Sequence, residues 1–209
     1  MDWSAWHNDY DRPGTPLARR LADVQGHLRT ALADARPGPL DVISLCAGQG
    51  RDLLEVLADH PRRTDVRARL VELDPRNTAV ATAAVEELGL GQVEVVTGDA
   101  SLTDQYAGLV PADVVLACGI FGNISDADIE RTISFCPQFC KPGAVLLWTR
   151  HREAPDLAPA ICEWFEAVGF ERLYLSAPDA GYGVGVHRYV GSEQPLVVDD
   201  QLFSFGSAR

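Results

Sequence analysis

The chain has 209 residues, 46 % of them hydrophobic and 23 % charged, with a formal net charge of −12. That is enough for one domain with a full core, in the ordinary composition of a soluble globular protein. It excludes a membrane-spanning protein, since no apolar run approaches the ~20 residues a bilayer requires, and it argues against nucleic-acid partners, whose binding rests on neutralising phosphates with Lys and Arg.

The first residues, Met1-Asp2-Trp3-Ser4-Ala5-Trp6, are neither basic nor continuously apolar and do not read as a secretory signal. The five cysteines (Cys46, Cys118, Cys136, Cys140 and Cys162) are odd in number and scattered, which suits a reducing cytoplasm better than a disulfide framework. Cys136 and Cys140 have no further ligands at zinc-site spacing, so no metal is expected. Arg62, Arg63, Arg67 and Arg69 form the densest basic group and read as a solvated face.

In chain order, the segment Trp3 to Tyr10 is unusually aromatic. It is expected to fold over a cleft as a lid, with Trp6, His7 and Tyr10 excluding water and contacting substrate; the alternative is that Trp3 and Trp6 staple the extension to the body. Thr15 caps a helix with Pro16 in its first turn, and Leu17, Leu21, Val24, Leu28 and Leu32 line one side. Pro37-Gly38-Pro39 ends this extension, residues 1–36 of a single domain over 1–209. Val42 to Cys46 is a short apolar strand that stops at Gly48-Gln49-Gly50, and Leu53, Leu54 and Leu57 mark a helix after it. Ala68 to Leu73 is strand-like. Val80, Ala81, Ala84, Val85 and Leu88 then repeat at helical spacing, closed by Gly89. Val93 to Thr97 and Asp113 to Cys118 are further strands; Val114-Val115-Leu116-Ala117 is apolar on both faces, as in a parallel sheet covered on both sides.

Asp126 to Phe139 reads as a helix that Pro137 ends or kinks. Lys141-Pro142-Gly143 is expected to turn the chain into a strand at Ala144 to Trp148. Leu157, Ile161, Trp164, Phe165 and Val168 form another helix face, stopped by Gly169. The last strands, around Phe170 to Ser176 and Gly183 to Val190, are joined by too few residues for a covering helix and are predicted antiparallel. Leu196 to Arg209 is expected to add a short edge strand or to fray. The alternation predicts an α/β fold: a doubly wound, mostly parallel sheet with helices on both faces and ligands at the carboxyl ends of its strands.

Three groups fall at that edge in order: Gly48-Gln49-Gly50 after the first strand, Asp74 in Val71-Glu72-Leu73-Asp74 after the second, and Gly98-Asp99-Ala100 after the third. With the antiparallel carboxyl-terminal hairpin, this set resembles the class I S-adenosylmethionine-dependent methyltransferases over nearly the whole chain. The resemblance implies a Rossmann-like seven-stranded sheet of strand order 3-2-1-4-5-7-6, S-adenosylmethionine as cofactor, and methyl transfer by in-line displacement. By the same resemblance Ala47, Gly48 and Gly50 hold the methionyl part, Asp74 takes the ribose hydroxyls, and Asp99 and the Ala100 backbone meet the adenine. Cys118 and Gly119 then lie near the sulfur. Glu72, two residues back on the same strand face, is a second candidate for the ribose, and Asp74 before Pro75 also fits a helix cap. The chain departs from the family pattern at Cys46, where the resemblance leads one to expect an acid.

For the acceptor, the loop Gly119-Ile120-Phe121-Gly122-Asn123-Ile124-Ser125 lacks the Asn/Asp-Pro-Pro-aromatic signature of enzymes that methylate nucleobase amines or glutamine side chains. A small-molecule acceptor is expected, with Phe121 and Ile124 as apolar pocket walls and Asn123 either a polar handle or a turn residue. His151 is the candidate general base; Arg150 or Arg152 would clamp a carboxylate or phosphate, or belong to a solvated basic turn. Tyr182 is a further pocket candidate, and His187 reads as structural. Two other readings compete. A nicotinamide-dependent oxidoreductase shares the glycine loop and Asp74, but Arg51-Asp52-Leu53 follows Gly50 where the dinucleotide fingerprint needs a third glycine. A non-catalytic binding or interaction protein of the same fold is the other.

Overall fold

The computed structural model describes residue 12 and residues 14–205; Trp3, Trp6, His7 and Tyr10 lie outside the described residues. Helix α1 (Pro16–Asp34) starts where Thr15 Oγ1 accepts the Ala18 N–H at 3.1 Å, with Pro16 filling a position that has no intrahelical partner to lose. Val24, Leu28 and Leu32 are fully buried, whereas Leu17 and Leu21, nearer the start, are only half-buried. The first turns of α1 therefore extend past the core.

The strands are β1 (Leu40–Leu45), β2 (Val66–Glu72), β3 (Val93–Thr97), β4 (Ala112–Ala117), β5 (Cys140–His151), β6 (Phe170–Leu175) and β7 (Tyr182–Tyr189), in the spatial order β3-β2-β1-β4-β5-β7-β6. β1 to β5 are parallel, and β7 runs antiparallel to both β5 and β6. This is the doubly wound sheet with an antiparallel hairpin that the pattern predicts. The connecting helices are α2 (Arg51–Leu57), α3 (Pro75–Glu87), α4 (Asp126–Phe139) and α5 (Ala158–Ala167). Because side chains alternate along a strand, each strand feeds two cores. Ile43, Leu45, Val115 and Trp148 pack with Ile129 and Ile133 of α4 and Phe165 of α5. Val42, Leu70, Leu116 and Leu147 pack with Leu28 of α1, Leu53 of α2 and Ala81 of α3.

Two segments differ from expectation. Lys141-Pro142-Gly143 is not a turn ahead of the strand. β5 already pairs at Cys140 with Ala112, and the register then jumps to Val145 opposite Val114, so the tripeptide bulges out of the ladder. Proline has no N–H for that ladder, and Lys141 is drawn to the strand starts, where Nζ meets Asp41 at 2.9 Å and Asp113 at 2.7 Å. The chain end neither frays nor forms an edge strand as far as residue 205: Leu202 and Phe203 are buried, and the carbonyls of Gln201 and Leu202 accept from Arg131 Nε (2.7 Å) and Thr132 Oγ1 (3.2 Å). A single bridge joins Leu102 to Gln201. Among the described residues no helix is long and apolar enough to cross a membrane.

Candidate functional site

The carboxyl ends of β1, β2, β3 and β4 form one rim. After β1 the chain turns through left-handed backbone at Cys46 (φ 50°), Gly48 (φ 56°) and Gly50 (φ 71°). Gly50 has a steric reason besides its dihedral: a Cβ there would lie 2.6 Å from Leu70 Cδ2 and 2.9 Å from Leu54 Cδ1. Gly50→Ala is accordingly expected to lower stability by about 2 kcal/mol or more, from left-handed strain plus overpacking. Urea denaturation reads it, and a loss under ~0.5 kcal/mol would mean the loop holds another conformation.

Glu72, the last residue of β2, fastens this loop. Its Oε2 accepts the Gly48 N–H and its Oε1 the Asp74 N–H, both at 2.9 Å. Asp74 has another role: it is the N-cap of α3, where Oδ1 accepts the Arg76 N–H at 2.9 Å and Oδ2 lies 2.6 Å from Arg76 Nη2. Between them Leu73 is 62 % exposed, a large apolar side chain on the rim that sequence reasoning passed over. Its signal was present, since a leucine flanked by two acids at a strand end has no core to enter. Asp99 Oδ1 accepts the Ser101 N–H at 2.9 Å, and the carbonyl of buried Ala100 accepts from Tyr106 Oη at 2.7 Å.

Cys46 sits among these acids. Burial raises its thiol pKa, and the charges of Glu72 and Asp99 raise it further, so it stays neutral. An acid at this position would face the charges of both Glu72 and Asp99. Cys118, just past β4, is likewise held neutral by burial and then by the charge of Asp52. The next residue, Gly119 (φ 78°), donates its N–H to Thr149 Oγ1 at 2.8 Å, and a Cβ there would meet nothing within 4 Å.

The acceptor-side candidates divide. His151 ends β5 directly opposite Tyr182, which begins β7; both are half-buried. His151 Nδ1 accepts the Glu153 N–H at 3.3 Å, which assigns the proton of the neutral ring to Nε2. In this arrangement the ring offers a donor rather than a base. Burial raises the Tyr182 pKa, followed by the charge of Asp23 in α1. Phe121 is turned inward, contrary to expectation. It is fully buried with its ring centroid 6.0 Å from Trp148 and 6.4 Å from Phe165, so it is core and not pocket wall. Arg150 is also turned in, only 7 % exposed; it shares the strand face of Trp148 and its Nη1 donates to the Phe121 carbonyl. Burial lowers its pKa, and the charges of Asp126 and Asp156 oppose that. Arg152 does similar work through Asp156 (2.6 Å) and the Ser176 carbonyl. Both arginines staple loops, which corrects the expectation of an anion clamp. Asn123 is exposed and its Nδ2 donates to the Gly119 carbonyl at 2.8 Å, the turn role.

Elsewhere, His187 is buried and neutral, its pKa lowered to about 4 by burial and then by Arg172, while Nδ1 accepts from Trp148 Nε1 at 3.2 Å. The arginines at the opposite, amino-end edge are engaged: Arg62 with Asp65 (3.0 Å), Arg67 with Asp41 (2.8 Å) and Arg69 with Glu94 (2.7 Å). The shallow depression between Arg67, Arg69 and Glu94 is thus lined by paired charges.

Known proteins share this architecture. The family described as "Putative methyltransferase" matches residues 16–161. The protein YnbC of Escherichia coli (strain K12) is 23 % identical over 146 residues, 68 % of this chain and 25 % of YnbC, so the chain spans about a quarter of the length of that curated relative. Magnesium protoporphyrin IX methyltransferase (ChlM) from Synechocystis PCC 6803 with bound SAM superposes with a TM-score of 0.67 at 14 % identity, covering 90 % of this chain and 91 % of ChlM. The 1,6-didemethyltoxoflavin-N1-methyltransferase of Burkholderia thailandensis, with bound 1,6-didemethyltoxoflavin and S-adenosylhomocysteine, gives 0.64 at 18 % identity over 90 % and 85 % of the two chains. With a family match over most of its length and this strand order, the chain belongs to that methyltransferase family and has the fold of the class I S-adenosylmethionine-dependent methyltransferases.

Proposed function

We propose that this chain transfers a methyl group from S-adenosylmethionine to a small-molecule acceptor at the carboxyl-end rim of its sheet. The observation that carries the reading is Glu72, whose two oxygens hold the Gly48 and Asp74 N–H groups. Each carboxylate oxygen keeps a further lone pair, and the two together suit the paired hydroxyls of a ribose. In this reading Glu72 takes the ribose, while Asp74 serves α3. Leu73 offers an apolar surface to one side of the adenine. Asp99, with Oδ1 committed to Ser101, keeps Oδ2 for the adenine amino group. Ala47, Gly48 and Gly50 carry the methionyl segment, and the open space beside Gly119 suits its sulfur end.

S-adenosylmethionine supplies a methyl group on a positively charged sulfur, open to displacement in line. The work of the chain is then to align two reactants and exclude water, which can supply much of the acceleration. His151 and Tyr182 flank the acceptor side at the joined ends of β5 and β7, with His151 Nε2–H directing a polar group of the acceptor. Trp6, His7 and Tyr10, which lie outside the described residues, complete the site as a lid in this reading. The small-molecule reading draws support from the acceptors named for ChlM and the toxoflavin enzyme, and from paired arginines on a chain of net charge −12. Five free cysteines support a reducing, cytoplasmic setting.

Isothermal titration tests the cofactor. S-adenosylhomocysteine is expected to bind with a dissociation constant on the order of micromolar, about −8 kcal/mol, and NAD not at all. Binding of NAD in place of S-adenosylhomocysteine would return the chain to the oxidoreductase reading.

A further inference from the structure

After β3 the loop of Asp99, Ala100 and Ser101 leads into a short helical turn, Thr103–Tyr106. Tyr106 holds this loop from the inside. Its side chain is fully buried, donates to the Ala100 carbonyl and packs on Phe139 of α4 with ring centroids 5.3 Å apart. On the outside the loop is covered by the end of the chain. Left-handed backbone at Asp199 (φ 58°), a residue type that tolerates it, turns the chain onto the loop, and Asp104 Oδ1 accepts the Asp199 N–H at 2.7 Å. Residues 199–203 then run as a strap that touches both the loop and α4.

Buried Ser101 and Thr103 take polar partners from this strap. The Leu202 N–H donates to the Ser101 carbonyl at 2.8 Å, and Gln201 Nε2 donates to Ser101 Oγ at 3.2 Å. The Thr103 N–H donates to the Asp200 carbonyl at 3.0 Å, and Thr103 Oγ1 accepts the Asp200 N–H at 3.1 Å. Leaving a buried polar group unbonded is costly, so loop and strap dock together. Arg131 of α4 holds the strap in turn. Its Nε donates to the Gln201 carbonyl at 2.7 Å, its Nη2 lies 2.6 Å from Asp200 Oδ1, and its guanidinium lies 5.1 Å from the centre of the Phe135 ring. This line of contacts ends at the rim. Ser101, held at two atoms by the strap, gives its N–H to Asp99 Oδ1 at 2.9 Å, and that bond sets which way the Asp99 carboxylate turns.

We propose that the carboxyl-terminal strap is a positioning element for recognition of the adenine base, with Arg131 and Gln201 acting through Ser101 to aim the Asp99 carboxylate at the amino group of the base. The inference rests on the cofactor reading above and adds to it a segment about a hundred residues further along the chain. Coupling of this kind is reciprocal. A strap that favours the bound form of the loop is itself favoured, in its docked form, by the bound cofactor. A strap that only closes the core would stabilise the fold and leave the choice of base unchanged.

The test titrates the full chain with S-adenosylhomocysteine and with S-inosylhomocysteine, in which a carbonyl replaces the amino group of the base. Wild type is expected to prefer S-adenosylhomocysteine by about tenfold or more, the scale of one hydrogen bond to a charged acceptor. The variant is the full chain carrying both Arg131→Ala and Gln201→Ala. Both side chains are exposed, so trimming them leaves the core packing in place. Its preference is expected to fall below about threefold, through weaker S-adenosylhomocysteine binding with S-inosylhomocysteine changed less than about twofold. A second readout needs no variant. Hydrogen exchange of wild type should slow at the Leu202 and Thr103 amides, the two that cross between strap and loop, when S-adenosylhomocysteine binds. A double variant that keeps the wild-type preference overturns this inference and leaves the cofactor reading standing. So does a wild type that binds the two ligands alike, or one that binds S-adenosylhomocysteine with exchange at those amides unchanged. A wild type that binds neither ligand overturns the cofactor reading, and this inference with it.

Discussion

Gly185→Ala is expected to destabilise the chain by about 3 kcal/mol or more, the upper range for overpacking a core. β7 sets Gly185 directly opposite Trp148 of β5, and a Cβ at Gly185 would lie 2.2 Å from Trp148 Cε2, 2.3 Å from Cζ2 and 2.4 Å from Nε1. The indole has no retreat. It is fully buried, faces Phe165 in a stacked pair at 6.4 Å and Phe121 at 6.0 Å, and its N–H is spent on His187. Moving the ring would open that bond and leave buried polar atoms unpaired. Chemical denaturation measures the loss, and a change below ~1 kcal/mol would mean that the ring does not lie over Gly185. The double variant Gly185→Ala with Trp148→Leu isolates the clash: if steric overlap is the cause, adding the second change should cost less than Trp148→Leu costs alone. The consequence reaches the site, because the same pairing of β5 with β7 joins His151 to Tyr182 at its far end.

The second large effect concerns the two acids of the rim. Glu72→Gln is expected to reduce affinity for S-adenosylhomocysteine about 100-fold, near 3 kcal/mol, whereas Asp74→Asn should reduce it less than about tenfold. Both Glu72 oxygens accept backbone N–H groups. A glutamine must point an NH2 group at one of those donors, so the loop loses a bond as well as a charge. Asn, by contrast, caps a helix about as well as Asp, and the lost contact with Arg76 is an exposed pair of the sort worth at most about 1 kcal/mol. Titration of both variants decides between them: a larger loss in Asp74→Asn would make Asp74 the ribose acceptor and Glu72 a loop fastener. Circular dichroism of Glu72→Gln should remain that of the folded chain, since its core neighbours Leu70 and Val71 are untouched.

Much of this architecture was written in local sequence. Each parallel strand is an apolar run because both sheet faces are covered, and the helices announce themselves through caps such as Thr15 and through apolar side chains at helical spacing. The antiparallel hairpin followed from a connection too short to cross over. The glycines of the first loop were legible because left-handed backbone is a property of single residues.

What the chain's own order of residues determined is which groups reach the carboxyl-end rim. What only the tertiary structure decided is which of them meet. Glu72 and Asp74 are equivalent as sequence, two apart at one strand end. The register that sets Leu45 opposite Val71 brings Glu72 level with the glycine loop and leaves Asp74 to begin a helix. Arg150 and Phe121 were credible pocket residues until the parity of β5 placed Arg150 on the face of Trp148, and the turn after β4 folded Phe121 beneath it. Propensity and periodicity act over a few residues, whereas strand register and side-chain facing are fixed by contacts between segments far apart in the chain.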